Sequence, residues 1–312
     1  MKLTEPSKII FNRRLQDSKW RRRIVTICIA AICDSLADPK ILFCADRLIS
    51  AGIQFESGSS KIRKITEYCY TLHASDDSLF SERVLNKVKE RVSTENPLTI
   101  KQIVDIFCEE CITLKRTKQE KDVISKYNFA VEKTKADPNQ IIDNIMDDLE
   151  YYQYPAFEFI IAGMDSQTEP HIFKVNQDGD WSSFDSLGFV TTGAGQNLAF
   201  PEMTKWYYST EQAMTFAIPR IYFAKKAAER VQGVGRSTDM AFMCYRSDPQ
   251  TKELTARVYD ISTDLGFMER LDKSYDEIVT NEVNVLTNLA NEIQKEIDNA
   301  HTSQEEKPST SS

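Results

Sequence analysis

The stretch Thr26-Ile-Cys-Ile-Ala-Ala-Ile32, followed by Cys44-Ala-Asp46-Arg47 and then by Lys61-Ile-Arg-Lys-Ile65, sets a hydroxyl, a carboxylate and an amine on successive early strands. Taken alone, Thr26 is a β-branched residue in a buried strand. Asp46-Arg47 reads as a strand-end charge pair facing water, and Lys61 as a solvated lysine beside Arg63 and Lys64. A second reading is chemical. A cut before Thr26 would set its hydroxyl beside a freed α-amine with a pKa of roughly 7.7–8.0, close to working pH. That is the threonine-plus-terminal-amine form of nucleophile and base.

The rest of the chain limits what this trio can serve. With 312 residues, 41% of them apolar and 10% aromatic, the chain can bury a sizeable core and reads as globular. A net charge of -8 and a pI near 5.2 argue against a general nucleic-acid role, which needs clustered Lys and Arg on one face. The leader is the exception. Residues 1–25 carry Lys2, Lys8, Arg13, Arg14, Lys19, Arg21, Arg22 and Arg23 against Glu5 and Asp17. Such an arm could hold an acidic partner or nucleic acid, but a solvated arm is the simpler reading.

Arg21–Arg23 ahead of the apolar Ile24–Cys33 mimics the start of a signal peptide. No small-residue cleavage site follows, and no run approaches the roughly 20 apolar residues that span a bilayer. The odd cysteine count, seven thiols scattered through apolar runs, suits a reducing compartment better than a disulfide framework. A cytoplasmic location without membrane attachment is expected. Cys108 and Cys111 form a CxxC, but they share a helical stripe with Ile100, Ile103, Val104 and Phe107, which favours core packing over metal binding. With three histidines, no zinc or Ser-His-Asp constellation assembles from spacing; His171 reads as structural, and no cofactor signature is present.

Strands are expected at 24–33, 41–45, 53–55, 62–65 and 68–73. Helices follow from Ser75 or Asp76 to Val92 and from a Thr99–Gln102 capping box onward. Dense charge over 115–153 reads as a helical surface insertion. Strands then resume at 156–162, 171–175 and 188–192, with a turn at Asn176-Gln-Asp-Gly179. Gly193-Ala-Gly195 leads into a helix through Trp206, and a further helix capped by Ser209 or Thr210 runs to Arg230, with Pro219 predicting a kink. Strands at 240–245 and 254–259 flank a turn at Ser247-Asp-Pro249, and Ser274 with Glu277 caps a last amphipathic helix. This order suits an α+β fold of two mainly antiparallel sheets packed face to face with helices outside, a four-layer αββα sandwich. The expected organisation is a leader at 1–25, the sandwich over 26–275, a C-terminal helix at 276–300 and a disordered tail at 301–312.

The chain resembles proteasome β-subunits and their bacterial relatives, including the group called Anbu. Thr26-Ile-Cys-Ile-Ala30, Ile41-Leu-Phe-Cys-Ala-Asp-Arg47, Ser60-Lys-Ile-Arg-Lys-Ile65 and Phe159-Ile-Ile-Ala-Gly-Met-Asp165 carry the resemblance, supported by Thr191-Thr-Gly-Ala-Gly195 and Val234-Gly-Arg-Ser-Thr-Asp239. It implies the N-terminal-nucleophile hydrolase fold and a threonine that attacks a peptide or amide carbonyl. Carried over, Thr26 is the nucleophile, Asp46 the strand-end carboxylate and Lys61 the amine, in a homo-oligomeric ring or helical stack acting on a peptide or protein. The pattern departs from the family at Val25, where self-cleaving subunits have glycine, and at Ala194, where a supporting serine is usual. No counterpart to a later Asp and Ser is evident between Ala228 and Val234. The oxyanion donor should lie near Leu72–Ala74, where His73 sits. An inactive subunit serving as an assembly scaffold is the alternative those departures suggest.

Overall fold

Strands β1 (Cys28–Cys33) and β2 (Lys40–Asp46) are unbroken apolar runs, and every residue of both is buried. Such runs need cover on both faces. The computed structural model describes residues 26–50, 54–56, 60–94, 98–127, 138–152, 154–205, 207–247 and 254–305. The basic leader at 1–25 lies outside the described residues.

The remaining strands are β3 (Leu48–Ser50), β4 (Gln54–Glu56), β5 (Arg63–Thr66), β6 (Cys69–Ser75), β7 (Phe157–Met164), β8 (Pro170–Asn176), β9 (Trp181–Ser183), β10 (Phe189–Thr192), β11 (Thr238–Ser247) and β12 (Leu254–Asp260). They form two five-stranded sheets, ordered β10-β1-β2-β11-β12 and β5-β6-β7-β8-β9, with β3 and β4 as a separate pair. All pairings are antiparallel. Between the sheets lies a core of Cys28, Ala30, Ile41, Phe43, Leu72, Ile160 and Ile172.

Helices α1 (Ser78–Thr94) and α2 (Ile100–Gln119) cover the outer face of the second sheet through Val84, Val88, Ile103 and Phe107 against Phe157, Phe159 and Val175. Cys108 and Cys111 lie on that buried face of α2. The expected capping box is present, with Thr99 and Gln102 each bonding the other's backbone. Past Gln119 a π turn at Glu120–Ile124 and helix α3 (Pro138–Glu150) make up the described part of the insertion. Helices α4 (Gln196–Lys205) and α5 (Met214–Ala228) pack on the first sheet, α4 against β10 and α5 against β1 and β2. The layers are therefore αββα, and the fold is α+β.

Three local expectations change. Helix α5 starts at Met214, not at Ser209 or Thr210, because its first amide is capped from a distance: Asp34 Oδ2, in the β1–β2 turn, accepts from Met214 N at 3.2 Å. Ser209 Oγ instead accepts from Glu211 N within a turn. Strand β9 was not foreseen, since its residues are all exposed and show no alternation to read. The last helix, α6 (Leu265–Glu305), begins well before Ser274 and continues into the stretch expected to be a disordered tail. Asp264 supplies its cap, Oδ1 accepting from Phe267 N at 2.9 Å, and no proline follows until Pro308. Residues 263–312 form a unit of their own; 306–312 lie outside the described residues, as does most of the turn expected at Ser247-Asp-Pro249.

Asp34 also pairs with Lys40 Nζ at 3.0 Å. Asp34→Ala removes a helix cap and an ion pair together, and should lower stability by about 1–2 kcal/mol in urea unfolding at pH 7.

Candidate functional site

Asp46 ends β2 where the strand leaves the sheet, with its amide donating to Ile27 O at 3.1 Å. That bond places the carboxylate directly under the entry to β1. Its Oδ1 accepts from Ile27 N at 3.0 Å, from Lys61 Nζ at 2.7 Å and from the Thr26 hydroxyl. Its Oδ2 accepts from Gly235 N at 2.8 Å and Leu48 N at 3.3 Å. Lys61 Nζ also donates to Thr26 Oγ1. The three side chains named from the sequence thus meet at one point.

Burial overturns the solvated readings of Asp46 and Lys61. Asp46 is fully buried, Thr26 is 1% exposed and Lys61 6%. An ion pair so enclosed holds because every oxygen of the carboxylate is supplied with donors; removing one partner leaves the other charge uncompensated. Arg47, expected to share the strand-end pair, turns instead to Asp239 Oδ1 at 2.5 Å.

Close approach of backbone fixes the rest. Gly193 has φ +100° and a Cβ there would lie 2.4 Å from Thr26 O, while Gly195 N donates to that same oxygen at 3.2 Å. A Cβ at Gly235 would lie 2.8 Å from Leu48 Cβ and 3.1 Å from Asp46 Oδ2. Gly235 is the functional contribution that spacing missed. Its signal was present in Val234-Gly-Arg-Ser-Thr-Asp239, but nothing in one dimension links it to Asp46.

The departures from the resembled pattern have structural counterparts. Ala194, between the two glycines, offers no side-chain polar atom. The one acid of the segment 228–234, Glu229, is held by Lys225 and by Lys226 at 3.2 Å. Lys225 is itself fully buried, and its Nζ donates to Arg236 O at 2.5 Å. Cys28 lies close by, but burial pushes its thiol up to about 12, so it carries no thiolate at neutral pH.

His73 lies in β6 opposite Phe159 of β7, with the rings 6.1 Å apart on the face that packs under the α1–α2 layer. Its carbonyl, by contrast, accepts from Cys28 Sγ at 3.4 Å. Desolvation lowers the imidazole pKa from 6.5 to about 4, and Nδ1 has no hydrogen-bond partner among the described residues. His73 is a neutral core histidine. The β5–β6 register pairs Arg63 with Thr71, and β5 starts at Arg63. Lys61, two residues before β5, lies near enough for its charge to help lower the His73 pKa.

A family model for proteasome subunits matches residues 125–233, downstream of Thr26, Asp46 and Lys61. No curated protein sequence matches the chain. Among solved structures, an Anbu (Gly-1) mutant from Hyphomicrobium sp. strain MC1 aligns with a TM-score of 0.55 at 14% identity, over 83% of this chain and 96% of that one. No helix among the described residues is long and apolar enough to cross a membrane.

Two outcomes follow from burial. Asp46→Ala strands the Lys61 ammonium and should cost about 3–5 kcal/mol in denaturant unfolding. Between pH 6.5 and about 4 the unfolded chain binds the His73 proton and the folded one does not, so stability falls as pH drops through that window. His73→Leu should flatten this fall, by about 3 kcal/mol across the window.

Proposed function

We propose that this chain, which has the αββα fold and matches the proteasome-subunit model over residues 125–233, is a threonine-type amidohydrolase or peptidase in which Thr26 becomes the N-terminal nucleophile once residues 1–25 are removed. One observation carries the reading: Lys61 Nζ donates to Thr26 Oγ1 while held by Asp46 at 2.7 Å. An ammonium at that distance favours the alkoxide and so lowers the hydroxyl pKa.

In the cut chain the free α-amine of Thr26 takes the hydroxyl proton as Oγ1 attacks the substrate carbonyl carbon. The C–O bond forms, the carbonyl π electrons move to oxygen, and backbone amides near Leu72–Ala74 would receive the resulting oxyanion. The tetrahedral adduct then collapses, the C–N bond breaks, and the departing amine takes the proton from the α-ammonium. Water hydrolyses the ester by the same path. Lys61 acts as a charge beside Oγ1, while Asp46 sets where that charge stands. The substrate is a peptide or protein amide, and the subunits assemble as a homo-oligomeric ring or helical stack.

Intact mass of an active preparation should begin at Thr26; activity with residues 1–25 retained would refute the free-amine mechanism. Thr26→Ala should reduce peptide hydrolysis at least ~10³-fold with the fold intact by circular dichroism. A threonine-directed electrophile should add one equivalent to the trimmed protein. No labelling after trimming would leave an inactive assembly subunit as the reading. Sedimentation should give a mass several times that of the 35.8 kDa chain.

A further inference from the structure

The β7–β8 hairpin carries a histidine between carboxylates, far along the sheet from Thr26. Asp165, at the start of the hairpin loop, uses one oxygen for the backbone: Oδ1 accepts from Gln167 N at 2.9 Å and Glu169 N at 2.8 Å. The other oxygen, Oδ2, faces His171 Nε2 at 3.6 Å. That gap is too long for a hydrogen bond. It matches the edge between two ligands of a tetrahedral zinc, roughly 3.3–3.6 Å for bonds of about 2.0–2.2 Å. Glu169, exposed on the same loop, completes a set of three donor atoms all within 4.8 Å of one another.

The far side of the ring carries the second observation. His171 Nδ1 lies 2.9 Å from Asp185 Oδ2, and Asp185 is fixed in turn by Ile172 N, which donates to its Oδ1 at 2.7 Å. A carboxylate only accepts, so Nδ1 holds a proton and donates it to Asp185, which leaves Nε2 as the ring atom turned toward Asp165. Asp185 belongs to the segment leading into β10 and lies outside the donor set. A carboxylate behind a histidine is how metal-ligating imidazoles are oriented and made more basic. Around the set, Tyr245 OH donates to Asp165 O at 3.0 Å, which ties the loop to β11.

We propose that Asp165 Oδ2, the Glu169 carboxylate and His171 Nε2 form a zinc site with Asp185 as its orienting carboxylate. An imidazole donor with two carboxylates suits zinc over calcium or magnesium, which take all-oxygen shells. Three protein ligands leave a fourth position for water. The ion clips the two ends of the hairpin loop to the start of β8. The site is independent of Thr26 chemistry.

The test is zinc titration of the full, chelator-stripped chain under reducing conditions, against a chromophoric competitor, with magnesium and calcium in parallel. One equivalent of zinc should bind. Asp185→Asn should weaken it about 10–100-fold. Glu169→Gln, at an exposed position that the fold does not need, should weaken it at least ~10-fold, and His171→Gln should abolish it. Absence of saturable binding, equal binding of magnesium, or affinity unchanged in both Glu169→Gln and Asp185→Asn would overturn the site. If His171→Gln fails to fold, the other two variants decide the matter.

Discussion

The carboxylate of Asp46 is the point on which the site depends. It is fully buried and accepts from Thr26, Ile27, Leu48, Lys61 and Gly235. The five donors come from four parts of the chain's path: the entry to β1, which supplies two, the exit from β2, the loop before β5 and the turn before β11. A buried charge tolerates such a position only when its lone pairs are filled. The same bonds that make Asp46 bearable therefore pin four segments together, and the meeting of Thr26 with Lys61 is a by-product of satisfying one acid.

The surroundings are arranged around backbone, not side chains. Gly193 and Gly195 let β1 and the turn after β10 approach to hydrogen-bonding distance at Thr26 O, and Gly235 lets its own amide reach Asp46. Where the resembled family has a supporting serine this chain has Ala194, and its nearby acid Glu229 serves the buried Lys225. Lys225 in turn holds Arg236 O, next to the amide that binds Asp46. The loop is thus anchored from beneath by a buried ion pair as well as from above by the site.

Legibility varied with how local the cause was. The capping box at Thr99–Gln102 was readable because both partners lie within one turn. The strands β1 and β2 were readable because burial on both faces leaves a continuous apolar run. The start of α5 was not, since its cap is Asp34, 180 residues away, while nearer Ser209 and Thr210 offered a plausible local cap. Strand β9 left no trace because an exposed edge strand needs no apolar alternation.

By itself the sequence indicated the layering and most of the order of strands and helices, because hydrophobic periodicity is a property of neighbours in the chain, while Thr26, Asp46 and Lys61 were singled out as a set through the family resemblance. Tertiary structure alone decided that Asp46 and Lys61 are buried, not solvated, that Arg47 turns away to Asp239, and that His73 is a neutral core residue under helices α1 and α2. The reason is that burial and pairing of charge depend on which distant segments fold over a residue. A strand-end Asp-Arg reads the same in one dimension whether water or a second sheet lies above it.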